Sequence, residues 1–381
     1  MMGLLQSSLI TALPWLIDRT GLSAGWWSVA MAVGMVPVAL GAPWWGRLAD
    51  RQGSLAILRS ASGLVLSAFL LLLLVLVSKA AALALMVLVI LTRLLHGVGA
   101  GGVFPAAQRL VVSSSDPKRW AAQLSRLQIA VHVGRLAGPG LMVVAAVTGV
   151  PAALGLVWIG GLLCCLVLIR RHGWREQKPQ EGATPKAPAT RRPPPPQPAW
   201  LDGLPLYALA FAITVWVGAL QFVLGPVLAE LSFSSPQTAT ALTGTALVIA
   251  SLAAMLAGPL VHRLARSTTW LILFWNFGIG VGGLVLALAD SVADVYAGVA
   301  LLAAGVAVIT PWYGATLRQL WPEARGLVAG RLTSVHTCGY GVGTLLGGGL
   351  LEWRPDQALS IFPLLVVAVA ALVLWAGARR R

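Results

Sequence analysis

Charge, and negative charge above all, is scarce in this chain. It has 12 Asp and Glu among 381 residues, and charged residues of both signs make up only 10%. A soluble domain carries about 25%, so most of this surface does not face water. Cysteine is nearly absent. Cys164, Cys165 and Cys338 lie in apolar runs without disulfide or metal-ligand spacing, which excludes a disulfide scaffold and a metal centre. No P-loop and no nucleophile–base constellation stands out, so neither nucleotide hydrolysis nor enzymatic chemistry is expected, and no cofactor is called for. No basic segment precedes the first apolar run, so no cleavable signal peptide is expected. The apolar runs are continuous rather than alternating, which excludes a membrane barrel.

What is present is hydrophobic: 58% of the residues. Runs such as "LVLSAFLLLLLVLVS" fit a bilayer core about 30 Å thick, which takes about 20 apolar residues per helix. Twelve spans are predicted, near 2–17, 24–44, 57–78, 81–111, 120–147, 152–170, 204–229, 239–261, 270–288, 295–318, 327–350 and 358–377. The first would rise only about 24 Å. Either the chain's start lies upstream, or that helix ends at the interface.

The net charge of +15 would suggest nucleic acid in a soluble protein. Its distribution gives another reason. The loops on the side of the second connection, with the C-terminus, hold 19 of the 27 Lys and Arg, whereas the opposite loops hold Arg19, Lys79 and Arg354. The positive-inside rule puts both termini in the cytoplasm of a bacterial inner membrane. The remaining five, Arg93, Arg109, Arg126, Arg135 and Arg331, lie within spans.

One charged, proline-rich segment, 171–201, breaks the pattern and reads as a cytoplasmic linker. It separates two six-span halves, 1–170 and 202–381. "PWWGRLAD" (43–50) aligns with "PLVHRLAR" (259–266), and "SRLQIAVHVG" (125–134) resembles "GRLTSVHTCG" (330–339). "FPAAQRL" (104–110) loosely matches "YGATLRQL" (313–320). Three likenesses on corresponding spans predict a duplication. Two such halves place a binding site between them near the midplane and rock about it.

Local chemistry concentrates in three stretches. In "GRLADRQG" (46–53), Gly46 and Gly53 permit a tight turn, and Asp50 is flanked by Arg47 and Arg51. A carboxylate there suits a neighbouring helix N-terminus. In "RLLHGVGAGG" (93–102), Arg93 stands near mid-span, where charge costs a few kcal/mol or more, and the glycines let another helix approach. In "QIAVHVGRLAGPG" (128–140), Gln128, His132 and Arg135 fall within about 60° on a helical wheel, with Gly134 roughly opposite. Gly138 and Pro139 bend that helix. The corresponding span carries Thr333, Thr337, Tyr340 and Thr344 on one face with His336 nearby. "ITPWYG" (309–314) is expected to break the tenth span.

These stretches resemble the major facilitator superfamily. Gly46, Leu48, Ala49, Asp50, Arg51 and Gly53 match its motif A; Ser54 and Leu55 replace the final basic pair. Arg93, Gly97, Gly99 and Ala100 match motif B, with His96 where glutamine is common. Gly134, Gly138 and Pro139 match motif C, associated with exporters and antiporters. The resemblance implies an all-α fold of twelve transmembrane helices in two pseudo-symmetric six-helix bundles, working by alternating access. Gly46, Asp50, Arg51, Gly53, Gly134, Gly138 and Pro139 are the expected conformational residues.

No acidic residue lies near a span centre, so Arg93 and Arg135 have no evident counter-ion. A bound anion would relieve that cost. The expected substrate is therefore a small anionic or zwitterionic metabolite, such as a siderophore, bound by Arg93, Gln128, His132, Arg135, Gln221, His336 and Tyr340. Trp216 and Asn276 are further candidate lining residues. The second half weakly resembles siderophore exporters. Export by a monomer coupled to protons is expected, with no nucleic acid or metal involved. The alternatives are multidrug efflux of hydrophobic compounds, uptake, and a non-transporting sensor or scaffold.

Overall fold

The computed structural model describes residues 1–78, 82–113, 120–170, 200–264, 268–321 and 325–364. All elements among them are helical. Eleven of the predicted spans are formed by α1 (Met2–Thr11) with α2 (Leu13–Thr20), α3 (Ala24–Val33) with α4 (Val36–Gln52), α5 (Ser54–Val77), α6 (Ala82–Ser113), α7 (Trp120–Val143) with α8 (Ala145–Thr148), α9 (Val150–Arg170), α10 (Leu204–Ser232), α11 (Pro236–Leu264), α12 (Thr268–Ala287), α13 (Val292–Leu320) and α14 (Arg325–Trp353). Most of the linker and of the last span lie outside the described residues.

The first span runs on to Thr20, three residues beyond the expected end, and it breaks at Ala12. The second breaks between Gly34 and Val36. Pro14 and Pro37 begin the segments that follow, where the N–H that proline lacks would have no intrahelical partner. By contrast α13 is not broken at "ITPWYG": it continues through Pro311. α7 likewise continues through Pro139. Neighbouring helices make such interior prolines tolerable inside a membrane.

The tight turn expected in "GRLADRQG" is present. Gly53 joins α4 to α5 with φ +91°, a conformation that a side chain disfavours. The exposed Arg51 lies in the last turn of α4. The surroundings of Gly46 and the Asp50 side chain lie outside the described residues, so the expected cap is not visible.

The two halves repeat one packing scheme. In the first, α1 packs on α7, α4 on α6, and α5 on α6. In the second, α10 packs on α14, α11 on α13, and α12 on α13. Glycine makes the closest approaches possible. A Cβ on Gly97 would overlap the Gly34 carbonyl, and one on Gly343 would overlap that of Val215. Core clusters in each half are built from buried residues such as Leu5, Leu16 and Trp27, and Ile213, Leu224 and Phe362.

The halves meet chiefly through α3 on α14 and α7 on α11, two contacts related by the same repeat. The close approaches cluster at the end of the bundle opposite Gly53. Gly348 abuts Ser28, Gly244 abuts the Pro139 carbonyl, and Gly225 abuts Pro14. There Ser23 caps α3, and the Gly25 N–H donates to Glu352 Oε1 at 2.8 Å across the two halves. The Ser23 hydroxyl and the Gly25 N–H hold the Glu352 carboxyl below its ordinary pKa of 4.5. A lowered folded-state pKa means that the contact is intact at neutral pH and is lost as pH falls through that lowered value.

Glu352→Gln removes an anion from a helix N-terminus, worth about 0.3–1 kcal/mol at an exposed site. In a background without the native cysteines, labelling of a cysteine placed at Ser28 by an impermeant maleimide should rise about two- to fivefold. Unchanged labelling would mean that the carboxylate does not hold the halves together.

Candidate functional site

Arg93 lies on α6 just before Gly97, where α6 crosses the break between α3 and α4. Gly34 provides the room: a Cβ there would meet the Arg93 carbonyl at 3.0 Å and Nε at 3.4 Å. Farther along, the Trp45 indole donates to the Val98 carbonyl at 2.7 Å and fixes α4 against α6. The motif B glycines thus set the depth at which Arg93 enters the bundle.

Arg93 is 4% exposed and lines a narrow cavity of about 10 Å³ between the halves, room for about one water molecule. Its other walls are Gln6 and Ile10 of α1, Met31 of α3, Met35, Gly218, Gln221 and Phe222 of α10, and Tyr340 and Thr344 of α14. No carboxylate is among them. Arg93 Nε is buried without a hydrogen-bond partner among the described residues. His96, one turn along α6, is also buried and supplies no negative charge.

Across the cavity, Tyr340 donates to Gln221 Oε1 and ties α14 to α10. Next to it, His336 Nε2 lies 2.8 Å from the Tyr313 hydroxyl, and the two rings meet edge to face. Tyr313 is fully buried, so α13 holds the imidazole in place.

Arg135 corrects an expectation. It lies in mid-helix, yet it is exposed. The start of its side chain lies against α1, where a Cβ on Gly3 would meet Arg135 Cγ at 3.0 Å. α7 packs on α1 as its glycines require. Gly134 abuts Gly3 and the Leu4 backbone, and Gly138 abuts Ser7 Oγ and the Leu4 carbonyl.

The structure therefore brings together Arg93, Gln221 and Tyr340 on one cavity, with His336 one turn from Tyr340 on α14; Arg135 and the exposed His132 on α7 are not among its lining residues. The Gln128 and Asn276 side chains lie outside the described residues. Trp216 is 1% exposed and packs against Phe362 in the core of the second half, away from the cavity. Gln6, Met31, Met35, Phe222 and Tyr313 were not singled out in the sequence. Gln6 carried a signal, as a lone amide in an apolar run. The methionines carried none.

Two repeated halves of membrane-spanning helices, with an arginine on a largely apolar cavity between them, are the architecture of a multi-pass membrane transporter. The chain belongs to the Major Facilitator Superfamily, whose sequence profile matches residues 1–227, and the described residues form eleven of the twelve spans expected of that fold. The chain is 30% identical over 115 residues to the multidrug resistance protein MdtG of Proteus mirabilis (strain HI4320), an alignment covering 30% of this chain and 26% of that protein. The fold is similar to that of a bacterial homologue of the human lysosomal transporter Spinster, in an inward-facing and occupied conformation (TM-score 0.66, 18% identity, 98% of this chain and 96% of that one). It is also similar to that of a D-xylose–proton symporter (TM-score 0.72, 14% identity, 97% and 92%). A peptide transporter in complex with alafosfalin gives TM-score 0.72 at 14% identity over 99% and 92% of the two chains.

Tyr340→Phe removes the bond to Gln221 and leaves a partly buried amide oxygen without its donor. A net hydrogen bond is worth about 0.5–1.5 kcal/mol. Thermal unfolding of the purified protein should show a small loss of stability, and Gln221→Leu in the same background should add little further loss. Additive losses would mean that the two side chains act independently.

Proposed function

We propose that this protein is a secondary active transporter that exports a small anionic or zwitterionic metabolite, such as a siderophore, by alternating access. The observation that carries the reading is Arg93, 4% exposed on a cavity wall that holds no carboxylate. A buried cation without a partner is costly. A bound carboxylate or hydroxamate offsets that cost, and its planar geometry suits bidentate contact with a guanidinium. Gln221, Tyr340 and Thr344 supply neutral hydrogen-bonding groups around it. Arg135, exposed on α7, draws the anion in and hands it inward to Arg93.

The positive-inside bias assigns the Gly53 end to the cytoplasm of a bacterial inner membrane, with both termini there. The described contacts between the halves cluster at the other end, which fits a cavity that loads from the cytoplasm. Protons drive the exchange. With no acid on the cavity wall, His132 and His336 are the candidate carriers, and the Tyr313 hydroxyl positions His336. The protein acts as a monomer.

Efflux of neutral hydrophobic compounds is a second reading. It is favoured by the likeness to a multidrug resistance protein over 115 residues and by Ile10, Met31, Met35 and Phe222 on the cavity wall.

Metabolite profiling of a deletion strain separates the two. Export of an anion predicts that one anionic compound accumulates in the cells and disappears from the medium. Arg93→Gln should reproduce that phenotype and weaken binding of the compound about 10- to 150-fold, the equivalent of about 1.5–3 kcal/mol for a charged hydrogen bond. A strain altered only in its sensitivity to neutral or cationic drugs would overturn the anion reading.

A further inference from the structure

A second concavity lies on the outside of the first half, between α5 and α9. Its α5 wall is Arg59, Gly63, Ser67 and Leu70, and its α9 wall is Trp158, Leu162, Cys165 and Leu168. The spacings of three and four residues make each set one continuous helix face. The Trp158 indole donates to the Leu66 carbonyl at 3.3 Å and closes the floor. The groove has a volume of about 270 Å³. It opens onto a lipid-facing surface: Leu71, Leu74, Leu163 and Val167 beside it are all 45–57% exposed.

Three features select its occupant. The first is length. From Arg59 to Leu70 the helix rises about 16 Å, and one leaflet of a hydrocarbon core about 30 Å thick is about 15 Å deep. The second is chemistry, because the walls are apolar except for Ser67 and Arg59. The third is charge. Arg59 lies near the start of α5, on the Gly53 side, and Arg170 is exposed at the same end of α9. An arginine at that depth reaches the headgroup level by extending along its own methylenes. Gly63 also leaves the middle of the groove vacant: a Cβ there would meet nothing within 4 Å.

We propose that this groove is a binding site for one acyl chain of an anionic phospholipid from the leaflet at the Gly53 end, with the headgroup phosphate held at Arg59. The site is independent of the central cavity and of what that cavity transports. It lies on α5, the helix that follows the Gly53 turn, so its lipid packs beside the connection that motif A forms.

The test uses the full-length protein in nanodiscs of zwitterionic lipid doped with phosphatidylglycerol carrying a photoreactive diazirine on its acyl chain. Cross-linked positions are mapped by mass spectrometry. Labelling should concentrate on the groove residues Gly63, Ser67, Leu70, Trp158, Leu162 and Cys165 and exceed that at the ordinary lipid-facing positions Leu74 and Leu163. Gly63→Leu fills the groove and should cut groove labelling about tenfold, with Leu163 unchanged. Ser67→Leu should do the same, and it serves if the first variant folds poorly. Arg59→Gln should reduce labelling by phosphatidylglycerol more than labelling by an equivalent phosphatidylcholine probe. Equal labelling of groove and ordinary lipid-facing positions, or groove labelling that survives both filling variants, would overturn the proposal.

Discussion

A single buried positive charge sets the terms for the centre of this protein. Arg93 is 4% exposed, its Nε has no partner among the described residues, and the cavity it lines holds no carboxylate. Removing a guanidinium from water without a counter-ion costs several kcal/mol. A protein retains such a group when something that visits the site repays part of that cost. Neutral groups on the cavity wall, Gln221, Tyr340 and Thr344, can share hydrogen bonds but cannot balance charge. The proposed anionic substrate would supply the negative charge that these wall residues lack.

The rest of the packing serves to keep that charge at depth between two bodies that can move. Gly34 and Gly97 let α6 and the α3–α4 junction touch backbone to backbone. The equivalent closeness of α10 and α14 at Gly343 holds Tyr340 and Gln221 on the far wall. Because the contact scheme of one half is repeated in the other, the α3–α14 and α7–α11 contacts form a pair about which rocking is natural. At one end of that interface a polar contact, Gly25 to Glu352, adds a reversible element to otherwise apolar packing.

Much of this was legible in the sequence, for definable reasons. The spans were readable because long apolar runs have few physical interpretations, and observed ends differ from expected ones by only a few residues in most helices. The glycine faces of "RLLHGVGAGG" and "QIAVHVGRLAGPG" were readable because spacing on a helix fixes direction. Depth and exposure were not. Arg93 and Arg135 look alike in sequence, yet one is enclosed and the other open, because enclosure depends on how far the halves have come together. Interior prolines were also ambiguous: breaks precede Pro14 and Pro37, whereas helices continue through Pro139 and Pro311. Trp216 was misjudged because an amphipathic ring suits a cavity and a core equally well. Met31 and Met35 look like ordinary core residues until α10 and α14 are placed opposite them.

The most direct test of the central claim is a matched pair of ligands that differ only in charge. Once a transported carboxylate is known, its affinity for the wild-type protein should be compared with that of its primary carboxamide by calorimetry. The account predicts that the carboxylate binds and the amide, equal in shape but neutral, is weaker by at least about tenfold. The preference should vanish in Arg93→Gln. Equal affinities of the two ligands for the wild-type protein would contradict the claim that the cavity is built around an uncompensated charge.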